Sequence, residues 1–213
     1  MGRDDWFRRR TWTEEDRADF EAHFARSRGN SSKAQYLRIQ AVCLAEASLH
    51  REAIELIDRI LAEYPETIER AIAHEKKAES IYALGRVEES LGEFRLALDA
   101  ERRFPNVRTN AWLEFGWIVV SEGLVDSYDE TLQILEEFNE GMLQFPVARY
   151  RYFAILALIA DSRGGAEMAR EMAANALRES ERRDSGFRYH AKLGLVEDHH
   201  KQLHERLKRI ANR

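Results

Sequence analysis

Cysteine is nearly absent from this 213-residue sequence: Cys43 is the single one, so no internal disulfide can form. Its neighbours Ala41, Val42, Leu44 and Ala45 predict burial as a small apolar residue, without the cations that would activate a thiol. Proline is almost as scarce, at 3, and glycine stands at 11. An all-β sandwich needs more turns than these supply, so the scarcity favours long helices with few breaks. No apolar run reaches the ~18 residues of a membrane span, and the charged opening stretch has no apolar signal-peptide core. The expectation is a soluble protein in a reducing cytoplasm, with no membrane partner.

Catalytic signatures are missing too. The sequence has no Gly-rich phosphate loop, no Gly-x-Ser-x-Gly elbow, no His-Glu-x-x-His and no Ca²⁺ loop. His200 and His204 stand four apart, with Glu197 three residues earlier, so all three share a helix face on which a cation could sit. A zinc shell needs about four ligands, and no second cluster of Cys and His completes it. They are read as an exposed polar face, and the expectation is no catalytic residue, no metal and no cofactor.

What the chain does have is charge and apolar residues in the proportions of amphipathic helices: 33% charged and 44% apolar. The net charge of −5 is unevenly spread. Residues 29–177 carry twenty-five acids against sixteen bases, while residues 178–213 carry ten bases against six acids. An acidic middle argues against a nucleic-acid groove, which needs clustered Lys and Arg.

Four segments share one layout: a helix with small and apolar residues at helical spacing, a break, then a second helix with a small residue followed by apolar ones. The third offers Trp112, Phe115, Gly116 and Val119 with Gly123 at the turn. The fourth repeats it with Phe153, Leu156, Ala157 and Ala160, Gly164 at the turn, then Ala169, Ala173 and Ala176. The first has Leu37, Ala41 and Leu44, then Ala53, Ile57 and Ile60; the second has Ala78 and Ile81, Gly85, then Ser90, Phe94 and Ala97. Small residues suit close helix crossings, where larger ones would push the backbones apart. Pro65, Pro105 and Pro146 punctuate the exits of the second helices. From Ala41 to Ala78, Gly116 and Ala157 the steps are 37, 38 and 41 residues.

Over residues 33–178 this layout resembles the tetratricopeptide repeat, whose period is about 34 residues. The second segment departs from that pattern in placing His74 and Lys77 where bulky apolar residues are usual. The resemblance implies an all-α fold, a right-handed α-solenoid of about four helix pairs with N-terminal and C-terminal capping helices. Residues 1–32 form an aromatic segment (Trp6, Phe7, Trp12) and a capping helix from about 14 to 28, started by Thr13; residues 179–213 hold a capping helix from about 187 to 211.

In such repeats the inward positions of the first helices line a concave groove. Carried onto this chain, that frame gives Gln35, Arg38 and Glu46; Glu75, Glu79 and Tyr82; Asn110, Leu113 and Trp117; and Arg151, Leu158 and Asp161. Trp117 beside Leu113 is the expected apolar anchor. Chaperone-binding members of the family clamp a C-terminal carboxylate with lysines and asparagines. Here Arg38, Val42, Glu75 and Glu79 take those positions, so a basic or apolar partner segment suits the groove better than an acidic tail. The resulting expectation is a non-enzymatic module that binds another protein or peptide. The alternative is an immunity protein or antitoxin whose acidic middle neutralises a basic toxin.

Overall fold

A computed structural model describes residues 5–65, 68–197 and 201–213. Among these residues the fold is all-helical, with ten α-helices, two single 3-10 turns and no strand. The helices are α1 (Glu14–Arg26), α2 (Asn30–Glu46), α3 (His50–Glu63), α4 (Arg70–Ala83), α5 (Val87–Arg103), α6 (Ala111–Glu122), α7 (Tyr128–Phe138), α8 (Pro146–Ser162), α9 (Ala166–Ser180) and α10 (Lys201–Ala211). No described helix is long and apolar enough to cross a membrane. The chain forms two compact units, the first reaching Ala111 and the second running from Trp112 to Arg213.

Within the first unit α2 packs on α3, α3 on α4 and α4 on α5; within the second α8 packs on α9, and α10 on both. The small residues predicted at crossings are where the helices meet. Ala41, Ala78 and Ala157 are all buried. A Cβ placed on Gly116 of α6 would stand 3.0 Å from Thr131 of α7 and 3.1 Å from Ile155 of α8, so hydrogen is the side chain that fits there.

One turn recurs four times. Each time the backbone reverses through a residue with positive φ: Ser48 (63°), Gly85 (78°), Gly123 (69°) and Gly164 (77°). The amide beyond it then donates back five residues, Leu49 to Leu44 at 2.9 Å, Arg86 to Ile81 at 3.2 Å, Leu124 to Val119 at 2.9 Å and Gly165 to Ala160 at 2.9 Å. This is the Schellman closure that satisfies a helix's last carbonyls, and glycine adopts it without steric cost. The four turns are spaced 37, 38 and 41 residues apart, like the small residues read from the sequence. The first uses serine, and for that reason carried no glycine signal.

Three local expectations need correcting. Pro146 is the first residue of α8, where a missing N–H costs nothing, and does not close α7. The last helix does not begin near residue 187: residues 187–197 are not helical, and its described part runs from Lys201 to Ala211. Before it, the chain folds into turns: Ser185 N–H donates to Ala191 O at 2.8 Å, and Val147 N–H at the start of α8 donates to Gly194 O at 2.8 Å. Gly194 has a φ of 67°, and its Cα lies so close to Phe145 that a Cβ would sit 2.6 Å from that ring. Cys43 is half-buried and not enclosed; burial pushes its thiol pKa up, with Glu46 adding to the effect. That favours the thiol over the thiolate.

The N-terminal helix follows its sequence signals. Thr13 Oγ1 accepts from Asp16 N–H at 3.2 Å, and Asp16 accepts from Thr13 N–H at 3.0 Å, a complete capping box. Trp6 meets Phe7, Phe20, His23 and Tyr36 at ring-centroid distances of 5.0 to 5.4 Å. The aromatic segment therefore belongs to the core of the first unit rather than to a free arm. Gln40, buried on α2, locks it in place, accepting from Arg9 N–H at 3.0 Å and donating to Arg9 O at 2.8 Å.

Candidate functional site

Small side chains that allow close helix approach also leave room where the helices diverge. In the first unit a cleft of about 330 Å³ opens among α2, α3 and α4. Its apolar lining is Ala41, Val42 and Ala45 from α2 with Ile57 from α3. Its polar lining is Glu46 from α2, His50 from α3, and Lys76, Glu79 and Ser80 from α4.

Two of those polar groups lack a partner among the described residues. The Ser80 hydroxyl belongs to a residue only 1% exposed and makes no hydrogen bond, and His50 Nδ1 is likewise buried and unbonded. Leaving a buried polar group unmade costs about 1–3 kcal/mol, so such groups are rare in folded proteins. Two beside one open cleft are groups that a bound molecule can satisfy.

The charged residues at the cleft are paired within the chain. Lys76 Nζ lies 2.6 Å from Glu79 and 3.3 Å from Glu75. Burial alone would pull the lysine pKa down, but Glu75 and Glu79 outweigh it and hold the ammonium above its ordinary range. Arg10 reaches Glu46 at 2.8 Å with both side chains largely exposed. An exposed pair is worth roughly 0–1 kcal/mol, so an incoming charge can exchange with it at little cost.

The expected groove residues divide into several environments. Glu79, with its neighbour Glu46, borders the cleft, whereas Glu75 is buried and accepts from Asn110 N–H at 2.8 Å. Glu75 thus braces α4 against the end of the first unit's chain, and Asn110 itself is exposed. Arg38 is ion-paired with Glu69, and Tyr82 is half-buried. In the second unit Leu113 is 4% and Trp117 6% exposed, while Arg151 stacks its guanidinium 5.3 Å from the Trp117 ring and pairs with Glu114. Leu158 is buried as well. Asp161 is held by Arg213 at 2.7 Å and Arg206 at 3.7 Å, both from the C-terminal end of the chain.

The burial of Leu113 and Trp117 has a compositional cause. From Ala111 to Val120, α6 carries one charge, Glu114, and a helix that is apolar all round is covered on every side. Trp117 is a buried residue in this structure. Ser80, His50 and Lys76 were not foreseen as site residues. The available signal was the four-residue step from Lys76 to Ser80 on the apolar side of α4, where the repeat pattern has no use for a polar group.

His74 and Lys77, the two departures from the repeat pattern, are tied together by a third residue. His74 Nδ1 donates to Glu93 at 2.7 Å, and Lys77 Nζ lies 2.8 Å from Glu93 and 2.8 Å from Asp58. Burial pushes the Glu93 carboxyl up, but His74 and Lys77 together outweigh that and hold it below the usual range. This network joins α3, α4 and α5 and is structural. As for the C-terminal histidines, His200 lies outside the described residues. Among the described residues no group of three metal-ligating side chains comes together.

The chain matches no family model, no curated protein and no solved structure.

Proposed function

We propose that this chain is a non-enzymatic protein-interaction module. In this reading it is a tetratricopeptide-like, right-handed solenoid of about four helix pairs with a capping helix at each end, working in the cytoplasm. The fourfold recurrence of the same helix-ending turn supports the repeat. An unpaired, half-buried Cys43 suits a reducing compartment.

The observation that carries the binding role is the cleft between α2, α3 and α4, with the unbonded Ser80 hydroxyl and His50 Nδ1 beside it. Its lining suits one long basic side chain of a partner segment. The aliphatic stem would lie along Ala41, Val42, Ala45 and Ile57, and the charged head would exchange for Lys76 on Glu79 or for Arg10 on Glu46. Flanking apolar residues of the partner would meet the small side chains of α2.

Panning a random peptide display library on the purified chain tests this. Sequences with Arg or Lys next to apolar residues should be enriched, with affinity that falls as salt rises. A Glu46→Lys/Glu79→Lys double variant should lose that enrichment. Enrichment of acidic peptides, or the same peptides on the variant, would refute the assignment. Glu75→Lys is not a suitable variant, because burying a lysine opposite the Asn110 amide would disturb the fold.

A further inference from the structure

The second unit contains its own cavity, of about 460 Å³, which the reading above does not use. Tyr150 of α8 lines it, together with Ser180 and Glu181 at the end of α9 and Lys201, His204 and Lys208 along one face of α10. Tyr150 is 0% exposed, and its hydroxyl is buried without a hydrogen-bond partner among the described residues. Burial raises the phenol pKa to about 12, so the group remains an O–H donor at any physiological pH.

Opposite charges meet at this cavity. The C-terminus of α9 carries the negative end of its helix dipole, with Glu181 as the capping residue. On the other side Lys201, exposed at the start of the described part of α10, brings a positive charge. Among the described residues neither Glu181 nor Lys201 forms an ion pair, whereas Lys208 is already engaged by Glu205 at 2.8 Å. The ring of His204 lies 6.2 Å from that of Tyr150 and forms part of the wall, and Glu197 and Glu205 add negative charge to the lining.

We infer that this cavity binds a small zwitterion, a free α-amino acid or a compound of that class. Its ammonium group would sit against Glu181 and the carbonyl end of α9. Its carboxylate would meet Lys201 and would accept the hydrogen bond that Tyr150 now leaves unmade. A volume of about 460 Å³ leaves room for a side chain beyond the two charged groups.

The test is calorimetric titration of the full chain with each of the twenty L-amino acids in millimolar excess. The tightest binder is then compared with its carboxamide and with its deaminated acid. At least one amino acid should bind, and each half-charged analogue should bind about tenfold weaker or worse. Lys201→Gln, a surface change, should weaken binding by about tenfold. Tyr150→Phe should do the same while the ligand-free protein melts at an equal or higher temperature, because the substitution removes an unmade hydrogen bond. Absence of binding by every amino acid would overturn the inference, as would analogues as tight as the parent or unchanged affinity in Tyr150→Phe. A ligand-free Tyr150→Phe chain that melts lower than wild type would show the hydroxyl to be satisfied within the fold, and would overturn it equally.

Discussion

Among the described residues, twelve polar or charged side chains are buried, and nine of them lie in the first unit against three in the second. The first unit therefore builds its interior partly from hydrogen-bonded networks. Gln40 fastens the N-terminal segment, Glu75 braces Asn110, Glu93 joins His74 to Lys77, and Thr109 donates to Glu101. The second unit relies on shape, with Gly116 letting α6 close on Thr131 and Ile155, and Trp112, Phe115 and Tyr150 filling the space around them. Both solutions stabilise helix pairs, but they fail differently. An apolar interior loses stability in proportion to the volume removed, whereas a polar one loses it when a single partner leaves another group buried and unpaired.

The largest effects should be those that ignore this difference. Trp112→Ala in the second unit and Phe94→Ala in the first both empty a fully buried aromatic site, and each should cost about 3–5 kcal/mol. Denaturant titration of the two variants checks this. A much smaller loss for Phe94 would mean that its surroundings collapse onto the gap, and so that the networked unit is the more plastic of the two.

Next in size is the change that only the first unit can suffer. Glu93→Ala strands His74, leaves Lys77 with Asp58 as its one remaining acid, and should cost about 3 kcal/mol, while Glu93→Gln, which keeps the shape and one acceptor, should cost less. The sign of the pH dependence follows from the carboxyl being held below its ordinary range. Its contribution is present above the unfolded value of about 4.3 and is lost as pH falls further. Stability of the wild-type chain measured from pH 7 down to pH 3 should therefore fall more steeply than that of Glu93→Gln. Parallel curves would remove Glu93 from the account of acid sensitivity.

The same contrast explains how much could be read from the sequence. Ala41, Ala78, Gly116 and Ala157, with the glycine turns that follow the last three, were legible because close crossings and helix ends are local demands that restrict residue size and φ. Register along each helix was therefore readable in both units. Partners were not. Nothing near His74 or Lys77 in sequence announces Glu93 on α5 or Asp58 on α3, so both residues read as defects in the repeat when they are parts of a network. Periodicity likewise reports one buried face and cannot show that a helix is covered on the opposite one, which is how Leu113 and Trp117 came to be assigned to a groove. The cleft beside α2 was half legible: Glu46 and Glu79 follow from the repeat frame, but an unbonded serine is visible only once its surroundings exist.

That serine supplies the smallest and most discriminating effect. Ser80→Ala deletes a buried hydroxyl that has no protein partner, so the unliganded chain should be stabilised by roughly 0.5–1 kcal/mol, against the usual loss when a buried hydrogen bond is removed. Ser90→Ala in the same unit is the matched control. The Ser90 hydroxyl is equally buried but donates to Ala78 O at 2.8 Å, and its removal should destabilise by about 1 kcal/mol. Opposite signs for two serines ten residues apart would separate a polar group held for the fold from one left open beside the cleft. If both variants lose stability alike, Ser80 is satisfied in solution, and the cleft keeps only its apolar lining and its paired charges.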